Sequence, residues 1–167
     1  MSELADETGA ALRRRRASLG GWVSTDAARS VMRANVRRDT RPELAVRSVL
    51  HAAGMRYRVD VPPLASDRRR RADIVFTRRR VAIFIDGCFW HGCPAHFVAP
   101  RSNANYWEPK IARNRERDLE TVARLEAEGW LALRFWEHES PQSVALEIIA
   151  TVRKRVPLSA HRDSRGG

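Results

Sequence analysis

Residues 81–96, VAIFIDGCFWHGCPAH, decide how this chain is read. Val81 to Ile85 is the longest unbroken apolar run in the sequence. A strand apolar on both sides is one covered on both sides, so Val81–Asp86 is expected at the centre of a sheet. A membrane-spanning helix needs roughly 20 apolar residues in a row, and no stretch approaches that. Directly after the strand come glycines, cysteines, aromatics and histidines. These are groups that bind metals, move protons or stack on rings, and the strand delivers them together at its C-terminal end.

Outward from this segment the chain alternates in period. Thr40-Arg41-Pro42-Glu43 opens a helix, with Thr40 as N-cap, Pro42 in the first turn and Glu43 closing a capping box. Leu44, Val46, Val49, Leu50 and Ala53 supply its apolar stripe, and Gly54 ends it. Met55 to Val61 and Ala72 to Thr77 read as strands, the first ended by Pro62-Pro63. Glu108 to Glu128 reads as a long helix with Ile111, Leu119, Val122 and Leu125 inward. Trp130 to Trp136 is a fourth strand, and Ser140-Pro141 starts a last helix. Thr25 to Arg37 can form a short, weakly buried helix. The order describes an α/β fold, a mixed central sheet flanked by helices.

The chain has 167 residues, 43% of them hydrophobic, which suits one domain and excludes wholesale disorder. Residues 1–22, with Arg13 to Arg16 and Gly20-Gly21, read as a basic tail that stays disordered until it meets an anion. Residues 157–167 read as a flexible C-terminal tail, leaving 23–156 as the domain. Nothing at the N-terminus resembles a signal peptide, so a cytoplasmic protein is expected. Two cysteines are too few for a secreted disulfide scaffold. The formal net charge is +11, and all basic residues except Lys110 and Lys154 are arginine. A small domain this basic points to a polyanion, most often nucleic acid.

Cys88, Cys93 and His96 have the spacing of half a zinc site, soft thiolates with an imidazole. His138, just past the fourth strand, is the candidate fourth ligand if that strand runs parallel beside Val81–Asp86. His91 is the competing ligand. Asp73 begins one strand and Asp86 ends the next, so a hairpin brings them close, and paired carboxylates hold Mg2+. Asp73 can equally offset the neighbouring arginines, and Asp86 can equally shape the turn. In the strand-Asp, strand-Asp/Glu-x-Lys pattern of restriction-type nucleases the last slot is lysine, but here it is Cys88. Acid–base work then falls to another group, and His91 suits it when zinc takes the other four ligands. Phe89 and Trp90, with Tyr106-Trp107 further on, either stack between bases or pack in the core.

The run DGCFWHGCPAH at 86–96, followed by Tyr106-Trp107, Lys110-Ile111, Asn114, Arg117-Asp118, Gly129-Trp130 and Trp136-Glu137, resembles the very short patch repair (Vsr) DNA mismatch endonucleases. Upstream, Met32-Arg33, Arg38-Asp39-Thr40, Glu43 and Arg71 to Val75 match as well, so the resemblance spans roughly residues 25–139. It implies a restriction-endonuclease-like fold with one structural Zn2+, held here by Cys88, Cys93, His96 and His138. It implies Mg2+-dependent nicking of double-stranded DNA on the 5′ side of the thymine in a T·G mismatch, the product of 5-methylcytosine deamination.

By the same resemblance Asp73 and the Ile85 carbonyl hold the catalytic Mg2+. His91 acts on the phosphate, Glu43 lies near the site, and Asp118 helps hold a water. Phe89, Trp90 and Trp107 intercalate beside the mismatch, while Met32 enters from the minor groove. A well-known member has histidine where this chain has Asp86, and cysteine where it has His138. The lesion implies a functional link to a DNA cytosine methyltransferase and to downstream repair proteins. A single-strand nick needs no dimer, so a monomer is expected. Two other readings remain: a restriction-type or mobile-element nuclease that cuts paired DNA, and a zinc-stabilised DNA-binding module whose catalytic site has decayed.

Overall fold

In a computed structural model, residues 38–99 and 104–156 are described. The terminal tails, the expected helix at 25–37 and Met32 lie outside them. Helix α1 spans Arg41–Ala52. Strands β1 (Arg58–Val61), β2 (Ala72–Phe76) and β3 (Val81–Asp86) follow, with a 3-10 turn at Thr77–Arg79 between the last two. Helix α2 is Ala104–Ala127, β4 is Leu131–Trp136 and α3 is Pro141–Lys154.

The strands form one sheet in the order β1-β2-β3-β4. The first two pairings are antiparallel, and β3 with β4 is parallel. The apolar run therefore does sit inside the sheet, and α2 makes the crossover that a parallel pair requires. Period two assigns the faces. Ile74, Phe76, Val81, Ile83 and Phe135 pack with Val46 and Leu50 of α1 and with Val144, Ile148 and Val152 of α3. Val75, Ala82 and Phe84 turn to the other face, against Leu125 of α2. The result is three layers, helix–sheet–helix.

Several expected boundaries and stripes shift. Strand β1 is limited to Arg58–Val61. Helix α2 begins at Ala104 and carries Pro109 within it, so Tyr106 and Trp107 lie on the helix itself. A proline that close to the start forfeits one backbone hydrogen bond without ending the helix. Leu119, expected inward, is 74% exposed. The inward stripe instead runs through Ile111, Thr121 and Leu125, with half-buried Asp118 between them. In α1, Leu44 faces outward, as does Ala53 just past its end, while Glu43 is buried in line with Val46 and Leu50. In both helices the core stripe includes a carboxylate that an apolar count passes over.

Candidate active site and metal centre

The sheet register assembles the site. Ile74 pairs with Ile83, and Phe84 with Arg134. Carried one residue further, the register sets Asp73, Phe84 and Arg134 in a row across β2, β3 and β4. All three side chains fall on the α2 face, and Asp86 lies two residues beyond Phe84 on that same face. The Asp73 side chain accepts a hydrogen bond from the Ile85 backbone N–H (2.7 Å). It is thus a built part of the sheet edge and not a counterion for the nearby arginines.

Glu43 is 4% exposed and does fill the capping-box role. Its carboxylate accepts from the Asp39 N–H (2.9 Å) and from the Thr40 hydroxyl (2.8 Å). It also adds its field to Asp73. Burial first of all, and then Glu43 and Asp86, push the Asp73 carboxyl up to about 7, against the Ile85 N–H and Arg134, which lower it. Burial and the fields of Glu43 and Asp86 leave the Asp73 carboxylate short of positive charge, and a hard oxygen in that position fits a divalent cation.

His91 joins from the loop after β3. Its Nδ1 is 2.5 Å from an Asp118 Oδ on α2 and 3.7 Å from Asp86. Burial pushes the Asp118 carboxyl up, but the His91 hydrogen bond together with Arg134 and Arg117 outweighs it and holds the group below the ordinary carboxylate range. With Nδ1 committed to a carboxylate, Nε2 is the nitrogen left for substrate. Asp86 accepts two hydrogen bonds from Arg134, at 2.7 and 2.6 Å, and Arg134 also reaches Asp118 at 3.1 Å. Arg134 had no sequence signal, being one arginine among many. Its place opposite Phe84 appears only once the β3–β4 register is known.

The loop from Gly87 to Ala99 is pinned from several directions. Continuing the parallel ladder, the Glu137 N–H donates to the Asp86 carbonyl (2.9 Å), which brings His138 beside Cys88. The ligand atoms of Cys88, Cys93, His96 and His138 lie within 4.8 Å of one another. Cys88 Sγ is 3.1 Å from His138 Nδ1, and Cys93 Sγ is 3.8 Å from both His96 Nδ1 and His138 Nδ1. The parallel arrangement on which His138 depended is present, and His91 is occupied elsewhere. Burial, and then Cys93 and Glu137, push the Cys88 thiol up to about 11. Two thiols and two imidazoles this close together fit a soft or borderline metal, whose charge favours the thiolates.

From α2, Asn114 donates to the Trp90 carbonyl (2.9 Å), and Arg115 bonds the carbonyls of His91 and Gly92. Arg70 ties the β1–β2 connection to the same helix through Arg117 O (2.7 Å), Thr121 (2.5 Å) and Glu120 (2.5 Å). The aromatics gather in one half-buried cluster. Ring centroids are 5.2 Å apart for Phe89–Trp90, 5.3 Å for Phe89–Trp107 and 5.6 Å for Trp90–Trp107, with steep interplanar angles. Lys110 Nζ lies 5.3 Å from the centroids of both Trp90 and Trp107. These rings lie outside both sheet cores, next to the carboxylate–histidine group.

Residues 22–96 match the family described as DNA mismatch endonuclease Vsr. The type II nicking enzyme V.NaeI of Lentzea aerocolonigenes is 44% identical over 153 residues, covering 89% of this chain and 92% of that protein. The type II nicking enzyme V.XorIIP of Xanthomonas oryzae pv. oryzae is 41% identical over 126 residues, covering 75% and 90%. The DNA mismatch endonuclease Vsr of Escherichia coli K12 is 37% identical over 107 residues, covering 64% and 66%. With these likenesses, the chain belongs to the Vsr family of DNA endonucleases.

Proposed function

We propose that this endodeoxyribonuclease nicks double-stranded DNA on the 5′ side of the thymine in T·G mismatches, using a restriction-endonuclease-like arrangement of sheet and helices. What supports the reading is the placing of Asp73 and Asp86 on one face of the sheet, with His91 3.7 Å from Asp86 and 2.5 Å from Asp118 and the ring cluster of Phe89, Trp90 and Trp107 starting in the same loop. Asp73 and the Ile85 carbonyl would hold Mg2+. When bound, that ion polarises the scissile phosphate and lowers the pKa of an attacking water. His91, held by Asp118 through Nδ1, carries a proton at Nε2 to or from the reacting phosphate. Glu43 adds negative charge behind Asp73. Cys88, Cys93, His96 and His138 would hold a structural Zn2+ that fixes the turn joining β3 to the rings.

Selectivity follows from stacking. A wedge entering the duplex must first unstack a step, and a T·G wobble resists less than a paired step. Met32 is assigned to the minor-groove side by resemblance alone. The product nick suits a monomer acting after a cytosine methyltransferase has created the substrate for deamination, with repair proteins acting downstream, and such an enzyme works in the cytoplasm on the nucleoid.

The likeness to the type II nicking enzymes V.NaeI and V.XorIIP favours a second reading, a restriction-type nuclease of the same fold, which we take to act on paired DNA. A nicking assay on one duplex series separates the two. It would carry every mismatch and the fully paired control in several sequence contexts, with Mg2+ and with chelator. Preference for T·G supports the proposal, and equal cutting of paired DNA replaces it with the second reading. Asp73→Ala should abolish the Mg2+-dependent product in either case while leaving duplex binding within a few-fold. Product formation unaffected by that change removes Asp73 from the metal site.

A further inference from the structure

Four carboxylates are assigned to the site, those of Glu43, Asp73, Asp86 and Asp118, yet they are not treated alike. Both oxygens of Asp86 accept from the Arg134 guanidinium, Oδ2 from Nε at 2.7 Å and Oδ1 from Nη2 at 2.6 Å. Asp118 has Oδ1 3.1 Å from that same Nη2 and Oδ2 2.5 Å from His91. Every oxygen of these two carboxylates therefore faces a nitrogen. Asp73 instead faces the Ile85 backbone N–H, with no cationic side chain bonded to it among the described contacts. The guanidinium is itself held in place. Its carbon sits 5.0 Å from the centroid of the Phe84 ring, the β3 residue paired with Arg134. The Arg134 side chain is 22% exposed and the Asp86 side chain 8%.

Given the metal-dependent nicking proposed above, we infer that Arg134 is a positioning residue that withholds Asp86 and Asp118 from the divalent ion and confines that ion to the Asp73 side of the site. A guanidinium can do this because its planar fork satisfies both oxygens of one carboxylate and still reaches a second. It supplies a fixed positive charge where a second cation would otherwise gather among four acidic groups. It also keeps Asp118 aligned on His91. Without it, Asp86 and Asp118 become a pair of unpartnered oxygen donors, the chemistry that hard divalent cations select. Lysine has one point of attachment and can replace the charge but not the fork.

The experiment titrates Mn2+ into the full-length, zinc-loaded chain without DNA, read by the free-ion EPR signal. It compares wild type, Arg134→Met, Arg134→Lys, Asp73→Asn and the Arg134→Met/Asp73→Asn double variant. Wild type should bind Mn2+ through Asp73 and lose it in Asp73→Asn. Arg134→Met should gain Mn2+ binding, at least about tenfold tighter or as a further ion, in the range over which outer contacts tune metal sites. That gain should persist in the double variant, because it belongs to Asp86 and Asp118. Nicking by Arg134→Met should fall about 100-fold in kcat with KM for DNA changed less than about threefold, and Arg134→Lys should recover part of kcat. Mn2+ binding by Arg134→Met identical to wild type, in a protein whose circular dichroism is native, overturns the inference. Arg134→Lys serves the same comparison should the methionine variant not fold, and unchanged binding with full activity there overturns it too. None of these occupancies depends on whether the substrate is mismatched or paired, so failure of the mismatch reading and failure of this one are read separately.

Discussion

Removing the charge from Asp73 should make the metal-free protein harder to unfold. Its carboxyl sits at about 7 in the fold, against an ordinary value of 3.8. A raised carboxyl pKa means the folded state prefers the neutral form. Below about pH 4 the group is protonated folded or unfolded, and it costs nothing. As pH rises toward 7 the unfolded chain gives up its proton first, and stability falls. Each tenfold difference in proton affinity is worth about 1.4 kcal/mol, so the burden at pH 8 is at most roughly 4 kcal/mol. Urea unfolding in chelator should find Asp73→Asn equal to wild type near pH 4 and a few kcal/mol more stable at pH 8. Added Mg2+ should then stabilise wild type and not the variant, because only the native carboxylate gains a partner. Equal stabilities at pH 8 would mean that the site already neutralises this charge. The sequence marked Asp73 and His91 as candidates by residue type and place in the chain, and Asp118 by family resemblance. Arg134 was not legible, since a side chain placed by its bond to a carboxylate 48 residues away leaves no local pattern.

Helix α2 shows what periodicity conveys and what it omits. Its existence and direction follow from apolar spacing, and Leu125 lands in the core at 0% exposure. Leu119 does not, because the turn beside it is spent on Asp118, which must face the sheet to meet His91. A functional polar residue on the inward stripe rotates the apparent apolar face and misleads a count of leucines. Thermal or urea unfolding checks the assignment. Leu125→Ala should cost about 2–5 kcal/mol, the usual range for emptying a buried leucine site. Leu119→Gln should stay within about 0.5 kcal/mol, as surface changes do. Comparable losses at both positions would show the helix turned differently about its axis. At the sheet the pattern worked better. The apolar run at 81–85 located an interior strand, and the parallel β3–β4 pair then brought His138 to Cys88 as the ligand spacing required.

At the scale of the whole molecule, the two proposed metal sites are of different kind. The proposed oxygen site rests on Asp73 and the Ile85 carbonyl at the end of the sheet, whereas the soft donors of Cys88, Cys93, His96 and His138 gather within 4.8 Å of one another. A carboxylate site exchanges its ion readily, but a four-ligand thiolate–imidazole site holds its ion as part of the fold. Brief treatment with a carboxylate chelator should therefore stop nicking at once and reversibly, leaving tryptophan emission unchanged. Stripping the second site with a thiol-directed mercurial should release about one zinc per chain, measured with a colorimetric indicator. Trp90 and Trp107 touch each other, and the proposed zinc would fix the loop that carries Trp90, so their emission should shift to the red as the rings separate. The sheet should keep most of its far-ultraviolet signal, because both hydrophobic clusters lie outside the loop and rest on α1, α2 and α3. His138→Ala should imitate the stripped protein, with less zinc and red-shifted emission, and Mg2+ should restore neither. Nicking lost together with the ring cluster while Asp73 still binds its ion would separate the two halves of the device: the oxygen site cleaves, and the loop brings the phosphate to it.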